Sequence, residues 1–307
     1  MPPRSWRRST PPLAPEPARP PGPLLAIEDP GDERLGDYRR LKDPAARAVI
    51  EQGGGIFTIE GRLAVANALA AGIEFCSLLV EDRRAGALSG LIDALSATGA
   101  PIYLASQPVI AATVGFPLHR GVVATARRPT PRRFAELVAE AAAGPAPARL
   151  VLAEGLNDHE NLGALFRNAA AFGASAVLLD PTCADPLYRR SVRVSLGHVC
   201  SVPFARLEPW PDGLSLLRRH DIAVVALAPP APAHRQPGAA SPGLAELAVR
   251  RCRHAGIALA VGAEGPGLSP AVLERADLVV AIPMAPGVDS LNVATAAAIA
   301  LYELAVR

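Results

Sequence analysis

The chain has 307 residues, half of them hydrophobic and only 4% aromatic, with a net charge of +2. This length suits one large domain or two ordinary ones, and the near-neutral charge does not by itself indicate a nucleic-acid partner. The four cysteines are scattered and form no C-x-x-C pair, which argues against a disulfide framework. The histidines do not have the spacing of metal ligands, which argues against a metal site. No apolar run reaches about 18 residues, which argues against a membrane span.

Residues 1–24 are rich in Pro and Arg and contain little that could be buried. This composition predicts a disordered tail. The segment also lacks the apolar stretch of a secretory signal, so we expect a cytoplasmic protein.

Residues 37–128 predict a first compact α/β unit. The segment EGRLAVANALAAG predicts a helix, FCSLLVE a strand and GALSGLIDALSATG a second helix; PIYLA, a short helix at Gln107–Thr113 and GVVATAR follow. About 90 residues is a plausible domain size. Residues 129–147 predict a linker that contains the helix FAELVAEAAAG.

Residues 148–307 predict a second α/β unit. The apolar runs RLVLAEG, SAVLLD, AVVALA, IALAVGAEG and DLVVAIPM are each followed by a loop and a helical stretch. Apolar strands that alternate with helices are typical of a parallel sheet covered on both faces. Ligands of such sheets bind at the carboxyl ends of the strands, where the informative motifs lie.

The first motif is NLGALFRNAAAFG, with Asn161, Gly163, Arg167 and Gly173 at fixed spacing. Asn161 is expected near a helix start, where a short polar side chain caps well. Taken alone, the motif favours a structural interpretation, with Asn161 as a cap and Arg167 as a surface residue.

The second motif, VGAEGPGLS, directly follows a strand, and its glycines let the backbone approach a ligand closely. It matches neither the phosphate-binding P-loop nor the dinucleotide-binding fingerprint. Glu264 lies at the strand end, which is an unusual place for a purely solvated carboxylate.

The third motif, IPMAPGVDSLNVATAAAIALYEL, predicts a strand end, a loop and an alanine-rich helix. Ser290 is the candidate N-cap of that helix. Asn292 would lie in its first turn, and because Asn is a poor residue inside a helix, its side chain is expected to have a specific partner.

The three motifs in this order resemble the SpoU/TrmH family of the SPOUT RNA methyltransferases, over nearly all of residues 150–307. The intervening segment with Arg193, Ser195 and Gly197 is also similar to family sequence. More loosely, the first unit, near Gly61 and His119, resembles the ribosomal-protein-like RNA-binding domain that often precedes this catalytic domain.

The resemblance implies a parallel α/β sheet whose C-terminal chain forms a deep trefoil knot, which the strand pattern itself does not indicate. It also implies a homodimer with the active site completed across the interface. The apolar final helix is compatible with burial in such an interface.

The cofactor implied by the resemblance is S-adenosylmethionine. Its binding residues would be Gly262, Glu264, Gly265, Ile282, Leu291 and Asn292. Backbone groups in an apolar cleft suit recognition of an adenine edge.

The implied reaction is methylation of a ribose 2′-hydroxyl, without a metal. Arg167 is the family-matched catalytic residue, but a guanidinium is a poor base because it holds its proton in proteins. We therefore expect Arg167 to place positive charge beside the developing alkoxide rather than to act as a base. Asn161, Glu264, Ser290 and Asn292 would orient Arg167, the ribose or the cofactor.

The resemblance also implies an RNA partner, and the candidate contacts are Arg189, Arg190, Arg193 and His119. The extra domain favours ribosomal RNA, of the 23S type, while transfer RNA stays open as a target.

Two further interpretations stay open. A nucleotide-binding α/β enzyme would use GAEGPG for phosphates, although no G-x-G-x-x-G follows the first strand of the second unit. A non-catalytic RNA-binding protein would retain the fold, although the set of catalytic candidates is complete.

Overall fold

Two β-sheets organise the molecule, one in each half of the chain. The computed structural model describes residues 20–39, 41, 43, 54–116, 118, 121–229 and 254–306. In the described residues, no helix is both long enough and apolar enough to cross a membrane.

The N-terminal sheet has the strand order β1-β4-β3-β5-β2. Its strands are β1 (Leu24–Ile27), β2 (Ile56–Glu60), β3 (Phe75–Glu81), β4 (Ile102–Ala105) and β5 (Val122–Arg127). β4 is parallel to β1 and β3, whereas β5 is antiparallel to β2 and β3. The accompanying helices are α1 (Arg62–Ala70), α2 (Ser89–Ser96) and α3 (Gln107–Val114).

The structure differs from the predicted N-terminal tail at its last residues. Leu24 begins β1, and the backbone N–H of Ile102 donates to the carbonyl of Pro23 at 2.9 Å. Residues 22–24, at the end of the predicted tail, are therefore ordered, because LLAI supplies an edge strand for β4. Residues 1–19 lie outside the described residues.

The C-terminal sheet is parallel throughout, as predicted, with the order β11-β9-β10-β6-β7-β8. Its strands are β6 (Ala148–Glu154), β7 (Ala176–Leu179), β8 (Phe204–Arg206), β9 (Ile222–Leu227), β10 (Gly256–Gly262) and β11 (Leu278–Val280).

Helices cover both faces of this sheet, which explains its continuous apolar strands. They are α4 (Phe134–Ala142), α5 (His159–Ala171), α6 (Arg189–Val194), α7 (Ser215–Arg219), α8 (Pro270–Arg275) and α9 (Val293–Val306). Within β6, Val151 and Ala153 pack in the cluster that contains α5 and α9. Leu150 and Leu152 pack in the cluster that contains α4, α7 and α8.

The two halves of the chain are in direct contact. α6 packs against β2, and the 3-10 turn His198–Cys200 packs against α1. One cluster of buried apolar side chains includes residues from both sheets. Helix α4, which was predicted within a linker, packs against β6, β7 and β8 and so forms part of the C-terminal layer.

Candidate active site

A cleft of about 610 Å³ opens beyond the carboxyl ends of β9 and β10. This is the edge where parallel sheets bind ligands. Its walls are formed by the chain after β9, the loop after β10, the segment after β11 and the start of α9. The lining residues include Leu227, Val261, Leu268, Ile282, Met284, Val293 and Ala296.

The residues predicted to bind a cofactor all line this one cleft. They are Gly262, Glu264, Gly265, Ile282, Leu291 and Asn292, and Ser290 lines it as well. The second and third motifs therefore meet at one cleft.

The loop after β10 folds back tightly on itself. A Cβ at Gly262 would lie 2.2 Å from the carbonyl carbon of Gly267, so a side chain there would displace the loop backbone. Ala263 and Gly267 form a bridge across the loop. Ser269 then caps α8, accepting from the backbone N–H of Val272.

Glu154, at the end of β6, anchors the far side of this loop, and the sequence interpretation did not include it. Its Oε2 accepts from the backbone N–H of Ser269 at 2.7 Å. Its Oε1 accepts from Ser269 Oγ at 2.7 Å and from Trp210 Nε1 at 2.8 Å. Glu154 could have been identified from the sequence, because it is a carboxylate at a strand end, as Glu264 is.

Asn292 connects all three motifs. Its Nδ2 donates to Asn161 Oδ1 at 2.7 Å and to Glu264 Oε1 at 2.9 Å. Its Oδ1 accepts from the backbone N–H groups of Ala294 at 3.0 Å and Thr295 at 3.2 Å. The specific partner predicted for Asn292 is confirmed. Asn292 itself caps α9, so the prediction of Ser290 as the cap was wrong.

The N-cap of α5 is Asp158, and the prediction of Asn161 in that role was wrong. Asp158 Oδ1 accepts from the backbone N–H groups of Glu160 and Asn161, both at 2.8 Å. Because Asp158 satisfies these donors, the side chain of Asn161 is available to Asn292.

Arg167 lies apart from the cleft. It is exposed on α5, and six residues of helix place it about 9 Å along the axis from Asn161. Within the described part of the chain its side chain makes no hydrogen bond or ion pair. The neighbouring Asn168 donates to the carbonyl of Ala294 at 2.8 Å and ties α5 to α9.

The predicted RNA contacts differ in exposure. Arg189 is only 14% exposed; it pairs with Glu60 at 2.7 Å and lies over the ring of Phe116. This geometry contradicts the prediction that Arg189 presents its guanidinium to RNA, because the fork is already buried between the two halves of the chain. Arg190 is exposed, Arg193 is half-buried and His119 lies outside the described residues.

The loop after β7 is held by a buried carboxylate. Asp180 Oδ1 accepts from the backbone N–H groups of Gly155 and Cys183, and Oδ2 accepts from Thr182 Oγ1. Burial alone would raise the pKa of Asp180, but these hydrogen bonds outweigh burial and hold the pKa below its ordinary value. Asp180 thereby fixes the turn that leads from β6 toward α5.

Two protein-family models match the chain. The model of the SpoU rRNA methylase family matches residues 148–302, and that of the RNA 2′-O ribose methyltransferase substrate-binding family matches residues 58–132. The two matches fall on the C-terminal and N-terminal sheets respectively.

Relatives that align with most of the chain are also RNA methyltransferases by name. An uncharacterized tRNA/rRNA methyltransferase of Mycobacterium bovis is 44% identical over 90% of this chain and 89% of its own. The 23S rRNA (guanosine-2′-O-)-methyltransferase RlmB of Escherichia coli is 31% identical over 73% of this chain and 85% of its own.

Solved structures share the architecture. An RNA 2′-O ribose methyltransferase superposes with a TM-score of 0.69 at 30% identity, covering 91% of this chain and 97% of its own. An AdoMet-bound rRNA methyltransferase from Sinorhizobium meliloti gives a TM-score of 0.69 at 24% identity, covering 91% and 97%, and is similar in fold.

Proposed function

The chain belongs to the SpoU family of RNA 2′-O-ribose methyltransferases, and we propose that it methylates a ribose 2′-hydroxyl of 23S ribosomal RNA with S-adenosylmethionine as methyl donor. The observation that carries this proposal is the contact of Asn292 with both Asn161 and Glu264. That contact assembles all three motifs at one cleft.

The cleft suits the proposed cofactor in size and chemistry. Its volume falls within the range of about 300–1,000 Å³ typical of small-molecule sites, and its walls are largely apolar. Two carboxylates, Glu264 and Asp289, line it, which suits a ligand that carries positive charge. Gly262, Ile282 and Leu291 line the cleft and would contact the adenosine through their backbone groups.

When bound, S-adenosylmethionine supplies an activated methyl group on a sulfonium whose sulfur leaves without charge. The chain's residues must then bind the ribose and help its hydroxyl lose a proton. Asn292 holds Glu264 and Asn161 in fixed positions at the cleft. Arg167 places its positive charge beside the 2′-oxygen as negative charge develops there.

We further propose that the enzyme works as a homodimer. Arg167 does not line the cleft of its own chain and points into solvent on α5. A second copy that packs against α5 and α9 would bring its Arg167 to this cleft. Tyr302 on α9 is half exposed and packs edge-on against Phe172, so it offers an apolar contact on that face.

Several finer assignments belong to the same proposal. Residues 37–128 bind substrate RNA and residues 148–307 form the catalytic domain, which the positions of the two family matches support. The chain beyond β11 passes through a trefoil knot, which is supported by a cleft lined both by the chain after β9 and by the segment after β11. The enzyme acts in the cytoplasm, where ribosomal RNA would be its substrate.

Transfer RNA is the second candidate substrate, because the Mycobacterium bovis relative carries the broader name tRNA/rRNA methyltransferase. Ribosomal RNA is favoured by the RlmB relatives, which are 23S rRNA methyltransferases by name.

Thermal denaturation with candidate ligands tests the cofactor assignment. We expect S-adenosylhomocysteine to raise the melting temperature, whereas NAD and ATP should leave it unchanged. Stabilisation by NAD or ATP alone would favour a nucleotide-binding enzyme and contradict the proposal.

A further inference from the structure

Among the described residues, the most buried ion pair between the two halves of the chain is that of Glu60 with Arg189. Glu60 ends β2 and Arg189 begins α6, and Arg189 Nη1 lies 2.7 Å from Glu60 Oε2. The two side chains are 9% and 14% exposed, so both charges are largely withdrawn from water. The guanidinium also lies over the ring of Phe116, with 4.9 Å between Cζ and the ring centroid.

This pair is poorly explained as a source of stability alone. Buried ion pairs generally stabilise a fold no better than apolar side chains of similar size. In addition, Arg189 Nε is buried without a hydrogen-bond partner among the described residues. Charged side chains in such a place are better explained by the orientation they impose on the elements that carry them.

The elements oriented by the pair lead directly to the catalytic helix. α6 packs against α5, and Ser191 Oγ on α6 donates to the carbonyl of His159, the first residue of α5, at 3.0 Å. Gly163 lets the two helices approach closely, since a Cβ there would lie 2.6 Å from the carbonyl oxygen of Ser191. α5 in turn carries Asn161 and Arg167.

We propose that the Glu60–Arg189 pair is a positioning contact that holds the N-terminal unit in one orientation relative to α5. Substrate RNA held by that unit thereby presents its target ribose to the catalytic residues in a fixed geometry. Arg189 and Glu60 act through the orientation of the two units and do not touch the reacting atoms. The inference rests on the proposed function, in which the N-terminal unit binds the RNA.

Two other contacts join the same surfaces and provide comparisons. Asn67 Nδ2 on α1 donates to the carbonyl of Leu196 at 2.9 Å. Arg128, just after β5, pairs with Asp185, just before α6, at 2.6 Å, with the two side chains 27% and 41% exposed. Because this second pair is more exposed, it imposes orientation less strongly and Arg128→Gln serves as the matched control.

The test compares Glu60→Gln, Arg189→Met and the double variant Glu60→Met/Arg189→Met with the control. Single-turnover methylation at saturating RNA and cofactor is measured beside the equilibrium dissociation constants of both ligands. We expect the rate of all three variants to fall about tenfold or more, because small misplacement of reactants is costly, while both dissociation constants stay within about twofold. The control should keep its rate.

The double variant separates positioning from stability. Two apolar side chains should restore the melting temperature that the single variants lose. A double variant that melts like the unmodified chain yet reacts slowly supports a positioning role. A double variant that regains the full rate would overturn the positioning role. Weakened RNA binding with an unchanged rate at saturation would also overturn it.

Distances between spin labels on the two units provide a readout independent of catalysis. Labels at Arg83→Cys and Glu274→Cys, with the native cysteines replaced, should give one narrow distance distribution that broadens in the double variant. An unchanged distribution would overturn the proposal. If the distribution broadens but the unmodified chain methylates no RNA, the positioning contact stands and the proposed function fails.

Discussion

Asn292 and Asn161 lie 131 residues apart in the chain, and their side-chain amides meet at 2.7 Å. The same amide of Asn292 also donates to Glu264, while its oxygen caps α9. One side chain therefore fixes the start of a helix and the relative placement of three separate segments at the cleft. Substitutions at Asn292 can separate these two roles.

Asn292→Asp keeps the oxygen that caps α9 but replaces the amide donor with a carboxylate. That carboxylate would face Glu264 and Asn161 Oδ1, and two neighbouring carboxylates raise each other's pKa. We expect the affinity for S-adenosylhomocysteine, whose sulfur carries no charge, to fall about tenfold at pH 8, where the two carboxylates repel each other, and to recover as the pH falls and one proton is shared.

Asn292→Ser is the matched control for this experiment. Its hydroxyl can cap the helix, but it adds no charge. Binding of S-adenosylhomocysteine, measured by calorimetry between pH 5 and 8, should show little pH dependence in this variant. Equal pH dependence of the two variants would contradict the role assigned to the Asn292–Glu264 contact.

Glu264→Gln tests the charge of the cleft. The carboxylate favours a positively charged sulfonium, which S-adenosylhomocysteine lacks. We expect the variant to lose about fivefold in affinity for S-adenosylmethionine, or about 1 kcal/mol, and distinctly less for S-adenosylhomocysteine. Glu274→Gln removes an exposed carboxylate outside the cleft and should change neither affinity. An equal loss for both ligands would show that the charge of Glu264 does not act on the sulfonium.

Asp180 is expected to make a contribution to the free energy of unfolding that depends on pH. Its pKa is lowered in the folded chain by the hydrogen bonds it accepts from Cys183, Thr182 and Gly155, despite burial. The stabilisation is therefore fully present above the unfolded pKa of about 3.9 and is lost as the pH falls through the lower folded pKa.

Asp180→Asn should accordingly lower the free energy of unfolding at pH 7 by about 1–2 kcal/mol. The difference from the unmodified chain should shrink below about pH 4. Urea denaturation at a series of pH values measures both. A difference that stays constant from pH 7 to pH 3 would show that ionisation of Asp180 does not contribute.

The proposed dimer predicts complementation between two inactive variants. If Arg167 serves the cleft of a second copy, mixing Arg167→Ala with Glu264→Ala/Asn292→Ala produces heterodimers with one intact site. After unfolding and refolding together in equal amounts, about a quarter of the unmodified activity should return. The absence of any recovery, with heterodimers present, would place Arg167 and the cleft of one chain in the same site.

The sequence predicted the regular elements of both sheets where apolar periodicity was long. It missed β1, β2 and β8, whose segments LLAI, IFTIE and FAR lie outside the segments from which strands were predicted. The parallel C-terminal sheet was predictable because its strands are apolar on both faces.

The motif residues that meet at the cleft were predictable, but their local roles were not. Ser290 and Asn292 both suit an N-cap, and only the fold shows that Asn292 is the one whose oxygen meets the free N–H groups of α9. The sequence indicated an exposed Arg189 that contacts RNA, because its partner, Glu60, lies 129 residues earlier in the chain and was not recognised. Arg167 was identified by its motif. Only the fold shows that α5 runs in a direction that carries Arg167 away from the cleft.

The most direct test of the central claim is methyl transfer from labelled S-adenosylmethionine to purified ribosomal and transfer RNA, with Arg167→Ala as control. We predict incorporation into 23S rRNA at one ribose 2′-hydroxyl, and its loss in the control. Incorporation into transfer RNA alone would move the substrate to the second candidate. Absence of incorporation into either RNA, in a protein that binds the cofactor, would contradict the proposed reaction on these RNAs.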